Sequence, residues 1–305
     1  MSRNVSTLFS GLSAFPVTPA DNQGRVATDR LGALVARLSE AGVHSIGALG
    51  STGSYAYLST GERSRAVAAA VEAAGNTPVI VGIGALRTSD VLDNARNAEK
   101  AGAAGLLLAP VSYLPLTDEE VEGLVRDVTD VTALPLCLYN NPTTTHFTLS
   151  DALIGRLASL PTVKAVKNPA PANGDFAAHL AALRPAVPAD FSLGYSGDAA
   201  ISGALLAGAD AWYSVIAGTF PSICLEMWEA GRAGDAERLA ALKERLAPVW
   251  SVFARYTSIR TVHAAVEMLG LGPASPPLPV RPLSPEARRE AEAAFTAAGL
   301  MENAL

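Results

Sequence analysis

The sequence predicts an α/β fold, a closed (β/α)8 barrel with a C-terminal helical extension. Three observations predict it. Eight short apolar runs begin near Leu12, Val43, Pro78, Ala104, Leu134, Val163, Phe191 and Ala211; they are rich in Val, Ile and Leu and lack strict polar alternation, as strands buried on both faces of a parallel sheet do. Amphipathic stretches separate them, and the alternation continues evenly to eight over about 215 residues, against the ~250 that a TIM barrel typically takes. No Gly-x-Gly-x-x-Gly follows the first run, where a dinucleotide-binding open sheet would carry it. A doubly wound open sheet is the alternative arrangement of the same elements.

The helices have readable ends. Thr28 can cap a helix over 29–41 that stops before Gly42, Ser59 or Thr60 one that runs to Ala74 before Gly75, and Ser89 one that runs to Ala101 before Gly102. Thr117-Asp118-Glu119-Glu120 has the form of a capping box and opens the next. Later helices are expected over 150–158, 175–183 and 198–207. Past the last strand, helical patterns cover 221–230, 235–253, 258–269 and 284–298, with the Pro-rich stretch 272–282 as connector. That is too much chain for one closing helix. Residues 1–220 are therefore assigned to the barrel and 221–305 to a helical layer packed on it, as a single structural unit.

Composition limits the partners. A chain of 305 residues can bury a sizeable core. Its apolar content is 49% and its mean hydropathy +0.25, yet Gly, Pro or charge breaks each apolar stretch short of the ~18–20 residues a membrane span needs. The first ten residues hold one arginine followed by mostly polar residues, unlike a secretory signal, so a cytoplasmic protein is expected. Cys137 and Cys224 sit in apolar contexts without metal-type spacing, which suits core positions in a reducing compartment. A net charge of −6 and a pI near 5.3 speak against nucleic acid or an anionic membrane as partner. Any anionic ligand must be held by local donors.

Lysine is scarce. Only Lys100, Lys164, Lys167 and Lys243 occur, and two of them stand in the β-branched segment 163–169. Three residues apart on a strand, they point to opposite faces. If Lys167 faces the barrel interior, Ala165 and Val163 share its face, while Lys164 and Val166 face the helices. Asn168-Pro169 ends the strand, because Pro has no donor for the ladder. Lys167 then lies at the C-terminal end, where barrel enzymes keep their chemistry, and can serve as an amine nucleophile toward a carbonyl, which arginine cannot do. A structural ion pair is the other reading. Lys164, near the base, can snorkel to solvent.

The same end of the barrel holds Tyr139, which closes the run Leu136-Cys137-Leu138-Tyr139-Asn140 and could relay protons or simply pack. After the second strand comes Gly50-Ser51-Thr52-Gly53-Ser54. Two glycines among small hydroxyl residues let backbone N–H groups converge on an anion. Without the Gly-Lys-Ser/Thr ending of a phosphate loop, a carboxylate is the better ligand, and a plain tight turn is the bland alternative.

These pieces, with Phe15-Pro16-Val17-Thr18-Pro19, Leu58-Ser59, the run 79–84, Ser196-Gly197-Asp198 and Leu269-Gly270-Leu271, keep an order and spacing that includes 28 residues from Tyr139 to Lys167. The chain thereby resembles, nearly end to end, the dihydrodipicolinate synthase/N-acetylneuraminate lyase family of Schiff-base aldolases. The resemblance implies a barrel with a C-terminal helical layer, a homo-oligomer (tetramer or dimer), Lys167 as the imine-forming lysine, Tyr139 as proton shuttle, and Ser51 and Thr52 as binders of a pyruvate-type carboxylate. Thr52 is counted with Lys167 and Tyr139 as catalytic, and Gly50 and Gly53 with the carboxylate seat. No metal or other cofactor is implied, since the reaction runs through a covalent imine at Lys167. The four histidines, His44, His146, His179 and His263, form no HxH or HExxH pair. His146 alone follows Tyr139 into the loop over the barrel mouth.

The chain departs from the family pattern at the substrate end. Thr144 stands where the lysine-pathway synthases carry an arginine, within Asn141-Pro142-Thr143-Thr144-Thr145-His146. A hydroxyl cannot supply the bidentate clamp that arginine gives a carboxylate. Ser54 replaces the usual acid, Asn168 the usual aspartate, and Val111-Ser112 the paired tyrosines, with Tyr113 one place later. Thr144, His146, Ser112 and Tyr113 are taken as candidate substrate-binding residues. The expected activity is aldol cleavage or condensation of a hydroxylated 2-oxo acid, such as a 2-keto-3-deoxy sugar acid. The alternatives are dihydrodipicolinate synthase proper, a sugar-acid dehydratase using the same imine, and a non-catalytic barrel that binds 2-oxo acids.

Overall fold

Residues 7–301 are described by the computed structural model. Its strands are β1 (Gly11–Ala14), β2 (Ser45–Ala48), β3 (Val79–Gly82), β4 (Gly105–Leu108), β5 (Leu136–Tyr139), β6 (Val163–Asn168), β7 (Ser192–Tyr195) and β8 (Ala211–Ser214). All pair in parallel in chain order, and β8 returns to β1 to close the barrel. Alternation along each strand then makes two cores. Leu12, Ile46, Val81, Leu106, Leu138, Val166, Leu193 and Trp212 face outward under the helices. Ile80, Leu107, Cys137, Tyr139, Ala165, Ala211 and Tyr213 fill the interior, with Phe9 and Phe15.

One expectation fails on β6. The pairing slips between Leu136 and Cys137, so that Leu136 stands opposite Val163 but Cys137 opposite Ala165. The extra residue breaks the alternation. Val163 joins the outer core, while Ala165 stays inside and Val166 outside.

The helices are α1 (Thr28–Glu40), α2 (Thr60–Ala73), α3 (Thr88–Lys100), α4 (Asp118–Val131), the short α5 (Pro142–Thr145), α6 (Asp151–Leu157), α7 (Phe176–Leu183), α8 (Ile201–Leu206), α9 (Pro221–Arg232), α10 (Ala236–Arg245), α11 (Ala247–Tyr256), α12 (Ser258–Met268) and α13 (Pro285–Ala297). Ser59, Ser150 and Asp175 cap as their residue types predict, and Thr117 with Glu120 forms the reciprocal capping box. Thr28 and Ser89 instead lie inside helices that start after Ala27 and Arg87, without a side-chain cap. The pattern over 235–253 is two helices, not one. Pro248 falls in the first turn of α11, where its missing N–H is harmless, and a continuous helix would need that donor.

Beyond β8 comes a layer of helices in which α9 packs on β1 and α8, α10 on α8 and α9, and α11 on α12 and α13. This layer is tied to the start of the chain. Val17 and Leu34 share a buried cluster with Val262, Val266 and Ala274, and Arg30 Nη1 donates to Pro273 O at 3.1 Å. No helix among the described residues is long and apolar enough to cross a membrane.

Candidate active site

Lys167 ends the inward row of β6 and is 4% exposed. Its Nζ lies 4.0 Å from the centre of the Phe15 ring, 4.2 Å from that of Tyr139 and 5.6 Å from that of Tyr213. Aromatic faces attract a cation by ~0.5–2 kcal/mol each yet offer no proton acceptor as strong as a carboxylate. They hold the amine between the Phe15 and Tyr139 rings. Lys164 on the same strand has the opposite fate, half-exposed and paired with Asp190 at 3.2 Å.

Phe15 is itself placed by glycine. Its ring lies against Gly47 and Gly50; a Cβ on Gly50 would come within 2.5 Å of it, and one on Gly47 would collide outright. The motif after β2 therefore also seats the ring beneath the lysine. Leu49 and Ser54, at its two ends, both have φ of 55°, and the Ser54 N–H closes the turn on Ser51 O at 3.1 Å. Ser51, Thr52 and Ser54 line a cavity of about 780 Å³ that has Lys167 and Tyr139 on its walls.

The Tyr139 hydroxyl accepts from Asn141 Nδ2 at 3.0 Å, and the same amide donates to Thr144 Oγ1 at 2.7 Å. Because the hydroxyl accepts there, its own proton is free for the cavity. The ends of β5 and β6 are locked by Asn140, whose amide donates to Asn168 Oδ1 at 3.0 Å and to Leu149 O at 3.1 Å. An asparagine at 168 thus suits a neutral bridge.

Asp198 is the cavity's only carboxylate among the described residues, and burial pushes its pKa up. Trp212 Nε1 donates to it at 2.9 Å, and the Val215 and Ile216 N–H groups at 3.2 and 3.0 Å. Those donors occupy both oxygens, so Asp198 braces the loop after β8. Tyr55 also lines the cavity, 8% exposed, its phenol pushed up to about 12 by burial and by the neighbouring Tyr139 phenol. The buried Arg63 lies 5.3 Å from its ring centre.

Of the residues expected from the sequence, the cavity gathers Lys167, Tyr139, Ser51, Thr52 and Thr144, with Gly50 and Gly53 shaping its rim turn. It does not gather His146, Ser112 or Tyr113. His146 is exposed in a left-handed conformation after α5, and Tyr113 is 92% exposed. Sequence reasoning missed Tyr55, Asn141 and the outer wall: Trp250 and Phe253 from α11, Ile259 from α12, and Pro277 and Val280 from the connector. The outer wall lies outside every βα loop and carries no motif, so the rule that points to strand ends could not find it. Among the described residues, no three His, Cys, Asp or Glu side chains group as a metal would require.

Known proteins match this chain along its length. The model of the dihydrodipicolinate synthetase family matches residues 8–298. The 4-hydroxy-tetrahydrodipicolinate synthase of Acidiphilium cryptum is 32% identical over 298 residues, which cover 96% of this chain and 100% of that protein. The crystal structure of a dihydrodipicolinate synthase from Agrobacterium tumefaciens aligns with a TM-score of 0.94 at 49% identity, covering 96% of this chain and 99% of the other. The chloride-inhibited dihydrodipicolinate synthase of Acinetobacter baumannii, solved with pyruvate, aligns with a TM-score of 0.86 at 28% identity, over 96% and 99%.

Proposed function

Since this chain belongs to the dihydrodipicolinate synthetase family, whose members are pyruvate-dependent class I lyases, we propose that Lys167 is its imine-forming residue and that it makes or cleaves a 4-hydroxy-2-oxo acid. The observation that carries this reading is the Lys167 amine, held by three aromatic rings in a cavity it shares with a tyrosine hydroxyl and the turn at 51–54.

In the condensing direction the 2-oxo acid's carboxylate rests on the 51–54 turn, where backbone N–H groups and hydroxyls offer donors. The unprotonated Lys167 amine adds to the C2 ketone, and loss of water leaves a protonated imine. C3 then gives up a proton and becomes an enamine carbon. It attacks the aldehyde, forming the C3–C4 bond, and the aldehyde oxygen takes a proton to become the C4 hydroxyl. Water hydrolyses the imine and returns the amine. Tyr139 is suited to carry these protons, with its hydroxyl oriented by Asn141. Cleavage is the same path reversed.

A hydroxylated 2-oxo acid, of which a 2-keto-3-deoxy sugar acid is one example, suits the Thr144 and Asn141 side of the cavity. Thr144 argues against the lysine-pathway synthase, which needs a cationic clamp for a second carboxylate. Self-association as a dimer or tetramer belongs to the same proposal: Leu86, Tyr113 and Leu114 are 68, 92 and 68% exposed, and Ser112 and Tyr113 would then serve an interface. Light scattering tests the assembly.

Borohydride added with pyruvate tests the chemistry. The expected result is a mass increment on Lys167 by peptide mapping and none in Lys167→Arg. Absence of the adduct in the native chain refutes the enzyme readings and leaves a barrel that merely binds 2-oxo acids.

A further inference from the structure

We infer that the acceptor aldehyde of this enzyme is uncharged and apolar, an aryl aldehyde in the first instance, rather than a carboxylate-bearing, phosphorylated or polyol aldehyde. The inference rests on the lyase reading above and narrows it, because a 2-keto-3-deoxy sugar acid carries a polyol tail beyond C4.

The cavity's charges come first. Among its lining residues only Lys167 and Asp198 are charged. Lys167 is committed to the imine, and the Asp198 carboxylate is filled by Trp212, Val215 and Ile216. Among the described residues no arginine lines the cavity, so a distal carboxylate or phosphate would be taken from water without a partner there, which is strongly unfavourable.

Shape and polarity point the same way. At about 780 Å³ the cavity falls in the range of sites that enclose whole small molecules, ~300–1,000 Å³, so pyruvate fills only the part beside Lys167. The hydroxyl and amide groups at 51–54, 139–144 and 196 lie on the strand-end loops, whereas the lining from α11, α12 and the connector has one hydroxyl, Ser258, among Trp250, Phe253, Ile259, Pro277 and Val280. Each of these five is only half-buried. They keep apolar surface open to the cavity, and a bound apolar group would cover it. Trp250 and Phe253 meet edge to face, with centroids 5.8 Å apart at 72°, the geometry that aromatic rings prefer with one another.

The wall is fixed rather than incidental. Phe253 packs on the buried cluster of Val17, Leu34, Val262 and Val266. Thr257, between α11 and α12, has a φ of 70°, a conformation held by its carbonyl accepting from Thr261 Oγ1 at 2.8 Å and its hydroxyl from Arg260 at 3.0 Å. That turn presents Ser258 and Ile259 to the cavity.

The test uses the full chain with pyruvate and, in parallel, benzaldehyde, D-glyceraldehyde and aspartate semialdehyde, following pyruvate loss and product mass. Borohydride trapping of pyruvate on Lys167 is measured alongside. The expected kcat/KM for benzaldehyde exceeds that for the other two by ~10-fold or more. Trp250→Ala should lower it by ~10–100-fold while leaving the pyruvate adduct intact. If Trp250→Ala does not fold, Trp250→Leu should move it in the same direction by a smaller factor. Turnover of D-glyceraldehyde or aspartate semialdehyde equal to or above that of benzaldehyde, with the adduct present, overturns this inference and spares the lyase reading. No adduct at all overturns both.

Discussion

Replacing Tyr139 with phenylalanine separates positioning from proton transfer. The ring that lies 4.2 Å from Lys167 Nζ stays in place, so the amine keeps its seat between Phe15 and residue 139. What disappears is one hydroxyl and its 3.0 Å bond from Asn141, whose amide retains Thr144 Oγ1 at 2.7 Å. Loss of a single hydrogen bond with the donor still partnered should change stability by only ~1 kcal/mol. Loss of a positioned acid–base group costs ~10²–10⁴ in rate, or ~3–5 kcal/mol of barrier at 1.36 kcal/mol per tenfold. Turnover of a 4-hydroxy-2-oxo acid is measured by pyruvate release, and imine formation by timed borohydride quenching and intact mass. Turnover should fall by that factor and imine formation by much less. An equal fall in both would reject the relay role, and no fall in either would remove Tyr139 from the chemistry.

Two further substitutions probe the support around the site. Gly47→Ala puts a methyl into the Phe15 ring, so it should cost ~1–3 kcal/mol by overpacking and slow imine formation; an unchanged melting temperature and trapping rate would show that the ring does not position Lys167. His263, 1% exposed, donates Nδ1–H to Ala274 O at 2.8 Å, and burial pushes its pKa down to about 4. It stays neutral in the folded chain, so stability is full above the unfolded value near 6.5 and declines as pH falls toward 4, by up to ~3 kcal/mol. His263→Asn keeps a donor for Ala274 and removes the titration. Urea unfolding at pH 7 and pH 4.5 should then show a smaller acid loss than the native chain, and equal losses would exclude His263 as the source.

The architecture was legible because a parallel barrel writes itself locally. Each strand is a short apolar run and each helix carries its own caps, so Thr117 with Glu120 could be read without knowing its neighbours. Lys167, Tyr139 and the 50–54 turn, which the cavity brings together, were singled out for a different reason: a lysine in an apolar strand is anomalous, and the order and spacing of the three resemble the family pattern. Illegible features depended on pairing across the fold. Val163 left the interior because of a slip against β5, which no single-strand pattern encodes. His146 follows Tyr139 in the chain but is turned outward by the left-handed close of α5. Trp250 and Phe253 read as ordinary helix residues, and only the docking of α11 over the barrel mouth brings them to the cavity.

The tie between the chain's two ends has a consequence during synthesis. The contact of Arg30 with Pro273 spans 243 residues, and Val17 and Leu34 wait for Val262, Val266 and Ala274 before their cluster is complete. Translation at ~5–20 residues per second therefore puts several seconds between the synthesis of Lys167 and that of Trp250 and Phe253. Until then the cavity lacks Trp250, Phe253, Ile259, Pro277 and Val280. The cavity is thus begun early in the chain and completed by a late part of it.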